Sequence, residues 1–498
     1  MKRILLIGML MWVSGVTAQQ RFDYIERSNP WNNSVNAAGV RQDTVSRSYA
    51  EAYCTKINGG FMDKSSSDNS WNAGARTQSI RHFNKISFFG HFAYDYFDGR
   101  NMCGSMFSHP NYYPVDILEF TPGRKVRETY TLTGGVAAVL GAQWTGGLRV
   151  DFEAQNYAKR KDLRHKNTNL DFDVAPSILY HAERWAVGAS YIFGKNSERI
   201  EAEQIGKLGT SYYAFFDKGL SYGSTELWNG NTIHLAEPGI NGFPIKEMIH
   251  GASLQGQYGP FYADVTYRHR NGDTGEKDVK WHTFKTSQIV AHTVLRLQGD
   301  VYHHFIRLNL DWQEQKTREN LVGKETVNGI TQIHTYGSTP IFGLRSLDIG
   351  GEYEIVSNRI DFRAGVAYSQ LNRQSTLMYP YVKGQKLHYT ALFAKGIWTF
   401  GAFDLMTGLD YRVGDFSESN VKLVPEMITG EYSLQLTEYY NWSNEYLTAS
   451  RLGVDLGLRY NIKKFYIDLS ARLEHGFDLQ YITKSNRGVV TLGVGYNF

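Results

Sequence analysis

The feature that most constrains this chain is an alternation of period two that recurs along most of its length. In the final ten residues, VVTLGVGYNF, the side chains of Val490, Leu492, Val494, Tyr496 and Phe498 occupy every second position, with Thr491, Gly493, Gly495 and Asn497 between them. Successive side chains of a strand point to opposite faces, so such a segment is a strand with one apolar face and one small or hydrophilic face. The same row structure runs through Ile86, Phe88, Phe92, Tyr94 and Tyr96, through Leu148, Val150 and Phe152, and through Leu170, Phe172, Val174, Ile178 and Tyr180. It returns in Trp185, Val187, Ala189, Tyr191 and Phe193, in Tyr302, Ile306, Leu308, Leu310 and Trp312, in Leu452 to Tyr460, and in Phe465 to Leu473.

The connectors alternate as well. Short ones lie near Gly141 and at 181–184, 258–260, 298–300, 357–359 and 461–464, where Gly, Pro, Asn and Asp supply turn chemistry. Long polar ones cover roughly 98–124, 198–246, 316–344 and 414–445. Tight turns at one end and long loops at the other are the habit of transmembrane β-barrels, with periplasmic turns and extracellular loops. Counting from about Val45 predicts eighteen strands, with sixteen as the alternative if a pair near residue 84 is wrongly split. The number must be even if both ends of the chain lie on one side.

A mean hydropathy of -0.40 is too polar for a bundle of membrane helices. Beyond the first twenty residues no apolar run approaches the roughly 18 residues a spanning helix needs. A soluble sandwich or propeller shares the alternation but buries its apolar face, whereas here Tyr, Trp or Phe stand at the ends of many apolar rows, as interfacial girdles require. No repeat of 20–50 residues supports a propeller. Since hydrocarbon offers no hydrogen-bond partner, a sheet in a bilayer has to close on itself. The expected fold is all-β: a closed antiparallel transmembrane β-barrel.

Residues 1–18 carry Lys2 and Arg3, an apolar stretch from Ile4, and VTA ending at Ala18, the pattern of a secretory signal peptide. Residues 19–43 are expected to form a periplasmic segment or a small lumen hatch, and 44–498 the barrel. Without Lys2 and Arg3 the net charge is about +2, and nothing points to nucleic acid. Cys54 and Cys103 are the only cysteines, and an exported chain permits a bridge between them.

If the apolar rows face lipid, their neighbours line the lumen, and these are charged. They are Arg149, Asp151 and Glu153; Asp171 and Asp173; Asp264 and Arg268; Arg307 and Asp311; Asp348, Glu352 and Glu354; Asp361 and Arg363; Arg451, Asp455 and Arg459; and Asp468, Arg472 and Glu474. Such a lining means water or a polar plug. Either the charges pair across strands and stiffen the wall, or the arginines form a ladder for an anionic or hydrogen-bonding solute. Neither sign dominates.

No cofactor, metal site or catalytic centre is expected. His303 and His304 are adjacent and so point to opposite faces, the other histidines are scattered, and no nucleophile motif or phosphate loop is present. The basic stretch KRKDLRHK at 159–166 is predicted to lie outside, as a loop tip or as a ligand for lipopolysaccharide phosphates through Lys159, Arg160, Lys161, Arg164 and Lys166.

The ending with Val494, Tyr496 and Phe498 resembles the C-terminal signal of outer-membrane barrels, which implies recognition by the barrel-assembly machinery. NPWNNSVNAAGV, residues 29–40, is similar to the N-terminal hatch of fatty-acid transporter barrels. Taken whole, the mature chain resembles an uncharacterised family of large gram-negative outer-membrane β-barrels, of gut-commensal type. That resemblance implies a channel or transporter for small polar solutes or a specific nutrient, in contact with outer-membrane lipids and lipopolysaccharide, with a lipoprotein and a TonB-dependent receptor as neighbours. The rival expectation is a non-conducting accessory barrel that grips a partner through its long loops, especially 198–246 with Tyr212, Tyr213, Phe215, Phe216, Tyr222 and Trp228. About twenty-five residues before the barrel are too few for the plug domain of a TonB-dependent receptor.

Overall fold

The computed structural model describes residues 27–203, 212–228, 243–276, 279–328, 330–378, 381–420 and 431–498. The first strands are β1 (Arg47–Gly59), β2 (Asn69–His82), β3 (Ile86–Ser105), β4 (Asp116–Val139), β5 (Trp144–Lys159), β6 (Arg164–His181) and β7 (Trp185–Glu203). A short hairpin follows, β8 (Tyr212–Asp217) with β9 (Gly223–Trp228). The chain continues with β10 (Phe243–Tyr258), β11 (Phe261–Glu276), β12 (Val279–Gln298), β13 (His303–Val327), β14 (Ile330–Val356) and β15 (Ile360–Met378). It ends with β16 (Tyr381–Phe400), β17 (Phe403–Asn420), helix α1 (Glu431–Thr448), β18 (Arg451–Ile462), β19 (Phe465–Gly476) and β20 (Asn486–Asn497).

Each strand pairs antiparallel with the next, except that β7 pairs directly with β10 and the β8–β9 hairpin hangs from the upper end of β4 through Asp116↔Asp217 to Leu118↔Phe215. The last strand pairs with the first from Tyr49↔Asn497 to Gly59↔Arg487, and the ring closes with 18 strands. Closure satisfies the backbone groups of both terminal strands, and Phe498 itself donates its N–H to the Ser48 carbonyl at 2.9 Å.

The connectors at one end are all short, 83–85, 140–143, 182–184, 259–260, 299–302, 357–359, 401–402 and 463–464, and in two of them Gly259 and Gly401 take left-handed φ values of 53° and 63°. The other end differs from the expectation of long loops. Residues 316–344 are not a loop but the upper half of a β13–β14 hairpin, paired as far as Val327↔Ile330. The stretch 98–124 is mostly strand, and 414–445 contributes the end of β17 and most of α1. Strand length therefore varies around the ring, from 12 residues in β18, β19 and β20 to 27 in β14.

Apolar rows cover the outside of the ring. Ile306, Leu308, Ile349, Val366, Leu392, Leu409, Leu456, Leu469, Leu492 and Val494 are all exposed there. An aromatic girdle rims the short-turn end: Trp144 meets Tyr180 at 4.9 Å and Tyr180 meets Trp185 at 5.1 Å, while Phe403 stacks on Tyr460 at 4.7 Å and Phe465 lies 4.7 Å from Tyr496. Among the described residues no helix is long and apolar enough to cross a membrane. Cys54 and Cys103 are not bridged: the first is exposed on the outer face of β1 and the second is buried near the long-loop end of β3.

Candidate functional site: the lumen and its two closures

Every arginine of the expected lumen set is engaged by a carboxylate. Arg149 grips Asp151 at 2.7 Å, Arg268 reaches Asp173 at 2.9 Å, and Arg307 holds Glu352 at 3.0 Å and Glu354 at 2.5 Å. Arg363 lies 4.0 Å from Asp361, Arg451 3.1 Å from Glu474, and Arg459 2.5 Å from Asp468. Arg472 bridges Asp410 at 2.8 Å and Asp455 at 2.9 Å across three strands. Arg307, Arg451, Arg459 and Arg472 tie neighbouring strands together, Arg268 reaches from β11 to β6, Arg149 and Arg363 pair within their own strands, and this set leaves no row of unengaged guanidiniums. The remaining acids take neutral or imidazole donors: Asp264 meets His292 at 3.1 Å, Asp311 accepts two bonds from the Gln288 amide at 3.0 Å, and Glu153 accepts from Gln155 at 2.7 Å. Asp348 accepts from the Ser369 hydroxyl. Arg268 and Asp264 share a strand face but not a bond.

At the short-turn end, residues 27–43 lie against the inner wall. Two 3-10 turns form there, Pro30–Asn33 and Ala37–Gln42, because Asn29 and Asn36 cap them, accepting from the Trp31 N–H at 3.2 Å and the Ala38 N–H at 3.0 Å. Trp31 is buried and anchors the segment: its indole N–H donates to Gln257 at 2.6 Å and its ring meets Tyr262 edge-on at 5.2 Å. Asn36 donates to Gln255 at 2.9 Å and to the Ile178 carbonyl at 3.1 Å, and Arg149 donates to the Ser34 carbonyl at 3.1 Å. Arg27 bridges Glu354 and, at 2.8 Å, Asp361, while Arg307 donates to the Arg27 carbonyl at 3.3 Å.

The wall makes room for this segment with glycine. A Cβ on Gly147 would stand 2.4 Å from the Ala38 nitrogen, and one on Gly188 would stand 2.4 Å from the Asn36 amide. These inward glycines were the available sequence signal for a docked segment, and attention to the charged rows passes over them. Beside the segment a cavity of about 250 Å³ remains, bordered by Trp31, Asn32, Asn36, Gln78, His91 and Arg149 among others.

At the long-loop end the interior holds a large apolar cluster flanked by buried, paired polar groups. Phe107, Tyr113, Ile117, Phe216, Phe243, Trp281, Phe284 and Ile341, from many separate strands and loops, form one buried cluster. Loop 106–115 is drawn inward by Glu198, which accepts the Ser108 N–H at 2.8 Å, the Ser108 hydroxyl at 3.0 Å and the Asn167 amide at 2.6 Å. The Tyr112 hydroxyl donates to Glu247 at 2.9 Å. Burial among these groups, with the Glu247 carboxylate beside it, pushes the Tyr112 hydroxyl well above its ordinary pKa, and burial lowers that of His109. Helix α1 closes one side of the cap. Its Leu436, Tyr439, Trp442 and Tyr446 are spaced 3, 3 and 4 apart, so they share a face, and Trp442 donates to the Met62 carbonyl at 2.8 Å.

In the basic stretch 159–166, Arg160, Lys161 and Lys166 are exposed as expected, but the other two cations are engaged. Lys159 is buried and bonded to Glu119, which also lies 3.4 Å from buried Lys125, and Arg164 pairs with Asp162 at 3.1 Å. Among the described residues no group of three or more His, Cys, Asp or Glu is placed to hold a metal ion.

A closed sheet with a bare apolar exterior, an aromatic rim and a salt-bridged interior is a transmembrane β-barrel of the outer-membrane type. The chain belongs to a family of unknown function, DUF6850, whose model matches residues 37–498. No curated protein matches it. Solved structures similar to it include the siderophore receptor PiuA from Acinetobacter baumannii, at 7% identity over 92% of this chain and 82% of that one with a TM-score of 0.40. The FrpB iron transporter from Neisseria meningitidis is similar at 9% identity over 93% and 83%, TM-score 0.43. The outer-membrane transporter YddB from Escherichia coli is similar at 6% identity over 92% and 81%, TM-score 0.40. The barrel assignment rests on this chain's own strand order and register.

Proposed function

We propose that this outer-membrane barrel is a gated pathway for small polar solutes, with residues 27–43 as its movable hatch and the paired charges of the lumen as its wall. The observation that supports this best is how the hatch is held: polar contacts, one indole and the small side chains Ala38 and Val40, against a wall hollowed by Gly147 and Gly188, with a cavity of mixed polar and apolar lining beside it. A segment held in this way can leave and return without unfolding the barrel. Residues 1–18 then act as the export signal, and Val494, Tyr496 and Phe498 as the assembly signal. In this reading lipopolysaccharide surrounds the barrel, and a lipoprotein and a TonB-dependent receptor are its envelope neighbours.

Planar bilayers test the proposal. Purified wild-type protein is expected to give small, infrequent conductance steps, and a variant lacking 27–43 frequent and larger ones. If both stay silent while the variant still migrates as a folded barrel, the pathway reading fails. The accessory-barrel reading, which the packed apolar cap favours, then takes its place.

A further inference from the structure

The outer wall carries a charge arrangement that folding alone does not explain. Lys285 on β12 and Lys316 on β13 are direct register partners, and both are exposed on the outer face. Like charges directly opposite one another destabilise a sheet. Arg318, two residues further along the same face, is also exposed, and its guanidinium bonds Ser338 at 2.7 Å and 2.9 Å rather than a carboxylate. Arg345 on β14 pairs with Glu314 at 2.8 Å, and Glu314 also meets Lys316 at 3.3 Å. Nearby Asp273 is taken by Lys246 at 3.6 Å and Lys280 at 2.9 Å, and Lys285 has no ion pair among the described residues. Of the four cations Lys285, Lys316, Arg318 and Arg345, only Lys316 and Arg345 contact a carboxylate among the described residues, and they share Glu314.

Their height on the wall is the second observation. One layer below Glu314, Ile289, Trp312 and Leu347 are register partners in an outward apolar row, and Leu310 with Ile349 and Leu308 follow beneath. The cations therefore begin where the lipid-facing rows end, at headgroup level. Gly343, the register partner of Lys316, leaves a notch: a Cβ there would meet nothing closer than the Gln315 carbonyl at 3.8 Å. Phosphate oxygens suit Arg and Lys donors, and acyl chains suit the rows below.

We propose that Lys285, Lys316, Arg318 and Arg345 form a binding site for the phosphate groups of an outer-leaflet lipid whose acyl chains lie against Ile289, Trp312 and Leu347. Native mass spectrometry of the full chain in neutral detergent tests this, with bis-phosphorylated lipid A, its dephosphorylated form and inorganic phosphate as probes. The expected result is one retained lipid A, released by salt, with weak retention of the dephosphorylated form and no saturable binding of inorganic phosphate. K285Q/K316Q/R345Q is expected to weaken retention about tenfold or more. E314Q, which removes the one carboxylate that contacts these cations among the described residues, is expected to strengthen it, and keeps the test decisive if the triple variant misfolds. Lys56→Gln, on the far wall, serves as a control that leaves retention unchanged. Equal retention of both lipid forms, equal binding of inorganic phosphate, or indifference to E314Q and the triple variant would each overturn the assignment.

Discussion

The two ends of the lumen are filled in opposite ways. At the short-turn end a single segment, 27–43, sits on the wall through polar groups of Arg27, Ser34 and Asn36, one buried indole, and the small apolar side chains of Ala38 and Val40. At the long-loop end, side chains from at least eight strands and loops interlock around Phe107, Phe216, Phe243 and Trp281. Hydrogen bonds exchange readily with water and contribute little net stability each, whereas burial of large apolar side chains is cooperative and is lost as a unit. The lower filling can thus exchange its contacts piecemeal, whereas the upper one opens, when the pathway conducts, only as a unit.

Breaking the upper end should have the largest effect. Phe216→Asp removes a large ring and places a carboxylate among apolar side chains in the centre of the cap, at a loss of about 4 kcal/mol to cap packing. Limited proteolysis should then cut within 106–115 and near 212–228, while the barrel keeps its heat-modifiable migration. Resistance equal to wild type would show that the cap is not held by this cluster.

Trp31→Ala attacks the lower end and removes its one large apolar anchor, for about 3 kcal/mol. A Ser34→Cys reporter in a Cys54→Ser, Cys103→Ser background reads the outcome. Water-soluble maleimide should label the reporter many times faster in the Trp31→Ala protein, with cap proteolysis unchanged. If both ends loosen together, the lumen is one cooperative unit and the contrast between its ends is wrong.

Arg27→Gln should be milder, about 2 kcal/mol, because Arg307 still faces Glu354 when Arg27 is gone. Adding Glu354→Gln should recover part of the loss, since the buried carboxylate no longer needs a cation. Additive losses in the same labelling assay would mean that the two residues act independently.

The same contrast explains what the sequence made legible. Strand faces follow from nearest neighbours in the chain, so the rows from Ile86 to Phe498 could be read from periodicity, the tight turns from their Gly, Pro, Asn and Asp, and the closing pair from the need of a membrane sheet to satisfy its edges. Pairing of the lumen charges could be expected as a type, but not by partner: Arg472 finds Asp410 and Asp455, and Arg268 finds Asp173 rather than Asp264, because the partner depends on register between strands distant in sequence. The cap was illegible for the same reason. Residues 316–344 read as a loop because their polar, Gly-containing composition hides a pairing that the partner strand supplies. Lys159 read as a solvated loop tip because nothing local announces buried Glu119 forty residues earlier.

The smallest expected effect separates the two ends by pH. Asp217, in the hairpin turn of the cap, is buried and accepts N–H bonds from Gly219 at 2.7 Å and Ser221 at 3.4 Å, opposite Asp116 in register and with Arg373, Lys383 and Tyr439 in its electrostatic surroundings. Burial outweighs the backbone bonds and pushes its carboxyl up to about 6. A carboxyl raised by folding favours the folded cap fully below its ordinary value near 3.8, and that contribution is lost as pH rises through about 6. Between about pH 7.5 and pH 6 the gain is only about 0.4 kcal/mol, and it grows on further acidification. Cap proteolysis with an acid-tolerant protease should therefore slow slightly over that interval and more clearly below it. Asp217→Asn keeps an acceptor for Gly219 and removes the titration, so its profile should be flatter, while labelling at Ser34→Cys follows neither trend. A slope undiminished in Asp217→Asn would place the titrating group elsewhere in the cap, at Asp116 or Glu198, whose carboxyls burial also raises.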